Sequence, residues 1–503
     1  IACTFAQTTT FNVWDRLGWR NAGLVALVQS EDYYFAVGAY SDQYQQRSAT
    51  NPFVLKIDKS GEIVKRRFLH FPNTNIYFDN ENVVLDRDQN IVIAGYSCNW
   101  SDPAGGCYPY LLKFDSQCDS LWYKTYPIYN RAWGGDNHPH VMVESDSGYV
   151  VGMRSPQSTV GIELRAYSYA GDMQRRVYIK KGNTNVDIHS LALTDSGTMI
   201  VGASMEDLSC PADQGRYKAY VFEADSNGNV LWEHTSSDQG SHFDTQGLYL
   251  TSDGGIVYAC EQGRHEISPQ GYDNYRFRPK LVKLNAQKKE EWAIALDTFA
   301  YCFELRDLVV TRGEGFVLLG SYCHIDFSRQ GSFFQVYLAK VSSQGDSVWA
   351  RSNAFEEESV NQYLYSGVED SDGGLVFGGA ADIRYVNIRR GISGSWWVKL
   401  DSMGCEVPGC ELTISNEEGQ DQLAQVQVYP NPASDRIYVN LPAALPYATS
   451  IELLTIEGQK SRETEFSPHS IHHSLDISGL APGVYILRLR GSQQMFTQKV
   501  LIK

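Results

Sequence analysis

Apolar residues in the first 400 positions fall into short alternating runs, and one run in each stretch follows a tight polar turn and ends on a small residue. The clearest copy is DSDGGLVFGG, Asp370 to Gly379. The same turn and strand recur as DYYFAVG ending at Gly38, DQNIVIAG at Gly95, SGYVVG at Gly152, SGTMIVG at Gly202, DGGIVYA at Ala259 and GEGFVLLG at Gly320, at steps of 50 to 61 residues. Period-2 alternation bounded by Gly, Asp, Asn and Ser reads as half-buried strands joined by turns. No stretch carries a helical period, so the expected class is all-β.

Each copy is flanked by a preceding strand, such as LVALVQ (Leu24 to Gln29), and by a regular third strand. The third strands are FVLKID, YLLKFD, AYVFEAD, KLVKLN, YLAKVS and WWVKLD, with IELRAYS from Ile162 fitting less well. A short polar turn then leads to a fourth strand, which carries Trp122, Trp232, Trp292 or Trp349; Val64 and Gln174 take that place in the first and third copies. Four strands per repeat, seven times over, predict a seven-bladed β-propeller whose large indoles fill the gaps between blades. The seventh copy has no fourth strand of its own. The stretch NVWDR near the N-terminus matches SVWAR of the sixth, with Trp14 aligned to Trp349, so an N-terminal strand is expected to complete the last blade and leave no open edge.

Composition changes this picture only at its borders. The chain has 503 residues, more than one ordinary domain, and a formal net charge of −16; with no cluster of Lys and Arg, nucleic acid is excluded as a partner. No apolar run reaches the roughly 18 residues that a spanning helix needs. Residues 1–6, IACTFA, read as the tail of a signal peptide, with Cys3 offering a lipoprotein cysteine as the rival reading. Ten cysteines suit an oxidising compartment. The expected local disulfides are Cys405 with Cys410 and Cys98 with Cys107. The propeller then spans residues 7–410, a polar linker 411–425, and a second small all-β unit 426–503, expected to be a β-sandwich.

The units, especially TSDGGIVYA and DSNGNVLW, resemble degenerate propeller repeats of secreted proteins of the Bacteroidetes type. The C-terminal unit resembles the type A sorting domain of type IX secretion cargo. That resemblance rests on PNPASD (Pro430, Asn431, Pro432 through Asp435), GLAPGVYILRL (Gly479 and Gly483 through Leu489) and the terminal KVLIK (Lys499 to Lys503). It implies transit through the type IX secretion machinery, removal of the domain by a sortase-like peptidase, and release or attachment to surface lipopolysaccharide.

Candidate chemistry collects where long connections leave the blades, between second and third strands and between one blade and the next. Trp100, Trp133 and Tyr272 sit in such loops, where aromatic faces stack on sugars or anchor a protein partner. An acidic residue recurs at the start of the innermost strand: Asp79, Asp136, Asp187, Asp244 and Glu304. These five are expected either to ring the mouth of the axial channel, where they would favour a cation or basic group, or to cap backbone N–H groups. His138 and His140 flank Pro139 without a third metal ligand. Turns such as DRDQN lack the full oxygen set of a calcium loop, so no cofactor is expected, a structural calcium being the alternative. No nucleophile motif, phosphate loop or zinc signature occurs. The expected function is a secreted or surface-displayed binding module for an extracellular glycan or protein. The alternatives are a glycoside hydrolase or polysaccharide lyase using paired channel-mouth carboxylates, and a structural matrix component.

Overall fold

The computed structural model describes residues 10–15, 17, 21–41, 50–72, 74–99, 107–126, 139–154, 161–182, 184–206, 217–236, 245–267, 273–296, 303–326, 331–353, 360–383, 392–406, 427–440, 449–455, 459–466, 472–490 and 495–503. The described residues are almost all strand. Up to residue 400 they pair into antiparallel sheets of consecutive strands: unit one (21–68), two (74–125), three (139–179), four (186–235), five (245–295), six (303–353) and seven (360–400). The innermost strand of each unit contacts that of the next, and the innermost strand of unit seven contacts that of unit one. The sheets therefore surround an axis, in the architecture of a β-propeller.

The turns explain why the period survives so much sequence drift. After the third strands, Asp58, Asp115, Asp225 and Asp401 each accept hydrogen bonds through Oδ1 from the backbone N–H groups two and four residues on. Asn285 and Ser342 do the same with their own side-chain oxygens. Any short side chain bearing an acceptor satisfies this loop. The residue three positions on is left-handed, with φ of +94° at Gly61, +85° at Gly228 and +83° at Gly345.

That left-handed residue is also where the next sheet packs. A Cβ on Gly171 would lie 2.8 Å from Trp122, on Gly345 2.6 Å from Trp292, and on Gly404 2.9 Å from Trp349. Three of the four fourth-strand indoles thus cover a bare turn of the following unit, and Trp232 meets Lys288 at the same turn position instead. In the pairing register these indoles stand opposite third-strand residues Lys113, Glu223, Lys283 and Lys340. By the same register, unit one presents Lys65 opposite Lys56, and unit three Arg175 opposite Ala166, in place of the expected Val64 and Gln174. Val64 points to solvent.

The N-terminal strand Phe11–Asp15 runs antiparallel beside the third strand of unit seven, Ile392–Leu400, and completes its sheet. The residue at the tryptophan position is Phe11, opposite Lys399 and packed on Gly61, whereas Trp14 stands opposite Trp396 and lies against Gly394. The alignment of Trp14 with Trp349 is therefore three residues out of register, and the odd offset puts Trp14 on the opposite face of the strand from Phe11.

Polar contacts lock the seam between units seven and one. Trp396 Nε1 donates to Asn12 Oδ1 at 2.7 Å, and Trp397 Nε1 to the carbonyl of Gly61 at 2.9 Å. Arg66 pairs with Asp15 at 2.8 Å. The centre of the seam is Asp370, whose side chain is 4% exposed: it meets Lys399 at 2.5 Å and Lys59 at 2.8 Å, and accepts from the Tyr34 hydroxyl at 2.6 Å. Burial alone would raise this carboxyl, but the hydrogen bonds from Lys399, Lys59 and Tyr34 hold it far below the usual carboxylate range.

At the C-terminus, the three-stranded sheet of Gln427–Tyr429, Arg436–Asn440 and His472–Asp476 shares a core with the four-stranded sheet of Lys460–Phe466, Thr449–Thr455, Gly483–Arg490 and Met495–Ile502. The PNPASD segment ties the last strand down. Asn431 accepts from Leu501 N at 2.8 Å and donates to the Lys499 carbonyl at 2.9 Å, while Lys503 N donates to the Ala433 carbonyl at 2.8 Å. On its other side the four-stranded sheet places Leu454 and Ile486 in one cluster with Trp349, Met403 and Cys405 of the propeller. Cys98 and Cys107 form a disulfide that spans neighbouring strands of unit two. Cys405 is also disulfide-bonded, while Cys410 lies outside the described residues.

Replacing Asp370 with Asn leaves Lys399 buried beside a neutral amide, with Asp372 as its remaining carboxylate. The expected loss is about 3 kcal/mol of unfolding free energy at pH 7. A depressed carboxyl contributes fully above its unfolded value and loses that contribution as pH falls towards its folded one. Denaturant titrations should therefore show the deficit at neutral pH and its progressive disappearance below about pH 4.

Candidate functional site

Bulges in the innermost strands decide what faces the axis. The pairing with the second strand slips at Val25 in unit one, His140 in three, His189 in four, Gln246 and Gly247 in five, Arg306 in six and Tyr365 in seven. A bulge places an extra residue opposite one partner and re-aims its side chain. In unit two the innermost strand is broken instead: Thr74–Tyr77 and Val83–Leu85 are separated by a polar segment with a single 3-10 turn at Asn80–Asn82. Asn80 Nδ2 donates to the Arg306 carbonyl of unit six at 2.9 Å, and the fully buried Asn82 donates to the Pro139 carbonyl of unit three at 2.9 Å. The segment thus reaches across the axis and is held from two other units.

Above it lies a cavity of about 180 Å³. Its walls are Asp79 and Glu81 from unit two, His140 from three, His189 from four, Gln246 from five and Arg306 from six. His189 Nε2 is 2.9 Å from Ser204 Oγ. The Arg306 guanidinium stacks 5.3 Å from the Tyr365 ring, which lies parallel to Tyr363. Burial pushes the Glu81 carboxyl up to about 8, with the Asp307 and Asp79 carboxylates adding to the shift. Burial raises Asp307 as well, although it accepts from the backbone N–H of Leu308 at 2.8 Å and of Gly367 at 2.9 Å. Two carboxyls in one desolvated place cannot both ionise cheaply, so the pair holds a proton at neutral pH.

Of the five acidic residues expected at the channel mouth, Asp79, Asp187 and Glu304 are described. Asp79 lines the cavity, but Asp187 is ion-paired with Arg154, and Glu304 with Arg306. Asp136 and Asp244 lie outside the described residues, as do Trp100, Trp133, Tyr272 and His138. Among the described residues, no group of three His, Cys, Asp or Glu is placed to hold a metal ion. The residues that do meet at the axis, Glu81, His140, His189, Gln246 and Arg306, were not singled out from the sequence as a set. In units four and six the axial residue follows the recurring acid by two positions, so the period was visible but the bulge that selects the residue was not. The one local signal was DNEN, Asp79 to Asn82, a polar run inside what should be an innermost strand.

Residues 427–503 match the secretion system C-terminal sorting domain family. This tail marks the chain as a secreted or cell-surface protein. No curated protein matches the chain. The similar solved structures are β-propeller proteins, among them a polysaccharide lyase of family PL25, an ulvan lyase, at 10% identity and a TM-score of 0.49, covering 76% of this chain and 95% of that one. The chain is also similar to the periplasmic gluconolactonase PpgL of Pseudomonas aeruginosa, at 14% identity and a TM-score of 0.38, covering 66% and 88%. A third similar structure is Drosophila Plexin A in complex with Semaphorin 1b, at 7% identity and a TM-score of 0.40, covering 84% and 94%. At these identities and scores the likenesses carry nothing about activity.

The raised Glu81 carboxyl has a stability consequence of definite sign. The folded state keeps a proton that the unfolded chain releases above about pH 4.5, so ionisation costs stability as pH climbs from about 5 to 8, by at most about 1.4 kcal/mol per pH unit. Urea titrations of Glu81→Gln and of the parent protein should therefore diverge in favour of the variant across that window and run parallel above it.

Proposed function

We propose that the protein is an exported seven-bladed propeller that binds an extracellular glycan or protein ligand at its axial ring. The observation that carries this reading is the set of bulged residues, one from each of several blades, aimed together into a cavity at the end where the long connections emerge. Bulges of this kind serve to re-aim side chains next to functional sites. His140, His189, Gln246, Arg306 and a protonated Glu81 offer donors and acceptors of both kinds. A space of about 180 Å³ is smaller than the roughly 300–1,000 Å³ of drug-sized pockets. It suits one sugar ring or one polar side chain, with the rest of the ligand lying over the loops. Trp100, Trp133 and Tyr272 are the proposed contacts there, and Asp79 the acid nearest the ligand. Export ends, in this reading, with removal of residues 427–503 by a sortase-like peptidase and release or attachment to surface lipopolysaccharide.

A second reading, a glycan-cleaving enzyme, is favoured by the Glu81 and Asp307 pair alone. An acid that keeps its proton at neutral pH is one half of the pair that glycosidic bond cleavage uses, the other being an ionised carboxylate.

One experiment separates the two. The full chain is applied to a glycan array, and the glycans that bind are incubated with the protein and analysed for new chain ends. Binding that falls at least about tenfold in His189→Ala, with no products, supports the binding module. Products that form with the parent protein and vanish with Glu81→Gln transfer the assignment to the enzyme. Binding unchanged in His189→Ala and in Glu81→Gln removes the axial ring from either role.

A further inference from the structure

Six of the seven junctions between units are filled by one device. The third strand supplies a long polar side chain on the face towards the next unit, and the fourth strand supplies a large or long one beside it. At the second junction these are Lys113 and Trp122, at the fourth Glu223 and Trp232, at the fifth Lys283 and Trp292, at the sixth Lys340 and Trp349, and at the seventh Lys399 and Phe11. The first has Lys56 and Lys65. These long side chains find partners in the turns around them: Lys113 meets Asp86 at 2.8 Å, Lys283 meets Asp253 at 2.6 Å, and Glu223 accepts from Thr198 at 2.7 Å.

The third junction breaks the rule at its third-strand position and, like the first, carries no aromatic ring at its fourth-strand position. Unit three offers Ala166 where the others carry a long side chain, and Arg175 where most carry an aromatic ring. A methyl group cannot fill the volume of a lysine, and the result is a cavity of about 510 Å³ between units three and four, with both Ala166 and Arg175 in its wall. Its floor is made of apolar side chains of the core: Val150, Leu164, Val177 and Met199. Its rim is made of turn residues, at the end of the ring opposite to the axial cavity.

We propose that this gap is a binding site for an amphiphile with an aliphatic or aromatic body and a single carboxylate. The volume lies within the range of small-molecule pockets, and an apolar floor beneath a few convergent polar groups is their usual form. The charges on the rim select the sign of the head group. Arg87 is taken up by Glu144 at 3.1 Å and Asp146 at 3.4 Å, and Glu144 also accepts from the Tyr169 hydroxyl at 2.9 Å. Among the described residues, Arg175 donates only to the neutral amide oxygen of Asn227, at 2.6 Å. Its guanidinium keeps donors for a carboxylate, which it binds in a bidentate fork. Asp195 stands exposed in the Thr194–Thr198 turn, where solvent screens it.

The test is isothermal titration of the intact protein with octanoate, octanol and octylammonium. Octanoate is expected to bind one site at least about tenfold more tightly than either of the others. Arg175→Gln, an exposed substitution, should leave the melting temperature within experimental scatter and abolish the preference for octanoate over octanol. The double variant Ala166→Lys with Arg175→Trp restores the filling used at the other junctions and should bind none of the three. Equal binding of octanoate and octanol by the parent protein, a preference that survives Arg175→Gln, or undiminished octanoate binding by a folded double variant would each overturn the proposal. If the double variant does not fold, the Arg175→Gln comparison decides alone.

Discussion

A ring of sheets has one place where it can open, and this chain closes it with buried charge. Units one to six each draw their strands from consecutive sequence, so their internal pairing is local. Unit seven borrows its outer strand from residues nearly 400 positions away in the chain, which costs loop-closure entropy that only contacts at the seam can offset. The contacts found there are of the strong kind: Lys399 and Lys59 on Asp370, with Tyr34 donating from the neighbouring unit. A buried pair of this sort adds less net stability than its distances suggest, because both groups lose water. Its worth is in register. Lys399 and Asp370 both belong to unit seven, and a unit one docked out of place would deprive the buried Asp370 of Lys59 and Tyr34, so the seam closes one way.

The same logic runs around the ring in weaker form, and it explains which parts of the fold were legible in the sequence. Turns with an acceptor side chain at one fixed position, and third strands alternating apolar with polar, are local patterns. They disclosed the repeat, the order of strands and the place of the N-terminal strand. Offsets between strands were another matter. FNVWD carries a large ring on each face of the strand, Phe11 on one and Trp14 on the other, and only the pairing with Lys399 shows which of them takes the tryptophan position. Val64 is one position short of Lys65: the unit-one turn has the length of the others, but the residue at that step is polar, and the apolar neighbour reads as the counterpart of the indole.

The axial residues were hidden by a related cause. A strand read with strict alternation sends its acids at Asp187 and Glu304 towards the axis, whereas a bulge two positions later presents His189 and Arg306 instead and lets those acids pair with arginines. Bulges leave no dependable mark in a single sequence, because they depend on the crowding of strands near the axis rather than on residue type. Glu81 and Asp307 belong together only through the fold, 226 residues apart. Their shared desolvation is a property of the closed ring and of the segment that Asn80 pins across it.

Two irregularities in an otherwise repetitive molecule therefore occupy opposite ends of it. At one end the innermost strand of unit two gives way to a polar crossing, and at the other the third junction goes without its lysine and its aromatic ring. Each replaces a regular element or filling that the remaining units keep. Repeats that share one interface design have little reason to abandon it at a single junction on grounds of stability, since filling a cavity of this kind usually adds to it. The departures also share no side chains, and sites so separated contribute independently to folding free energy. A substitution at Ala166 or Arg175 should accordingly leave the titration of Glu81 where it stands, so that binding at either end can be examined without disturbing the other.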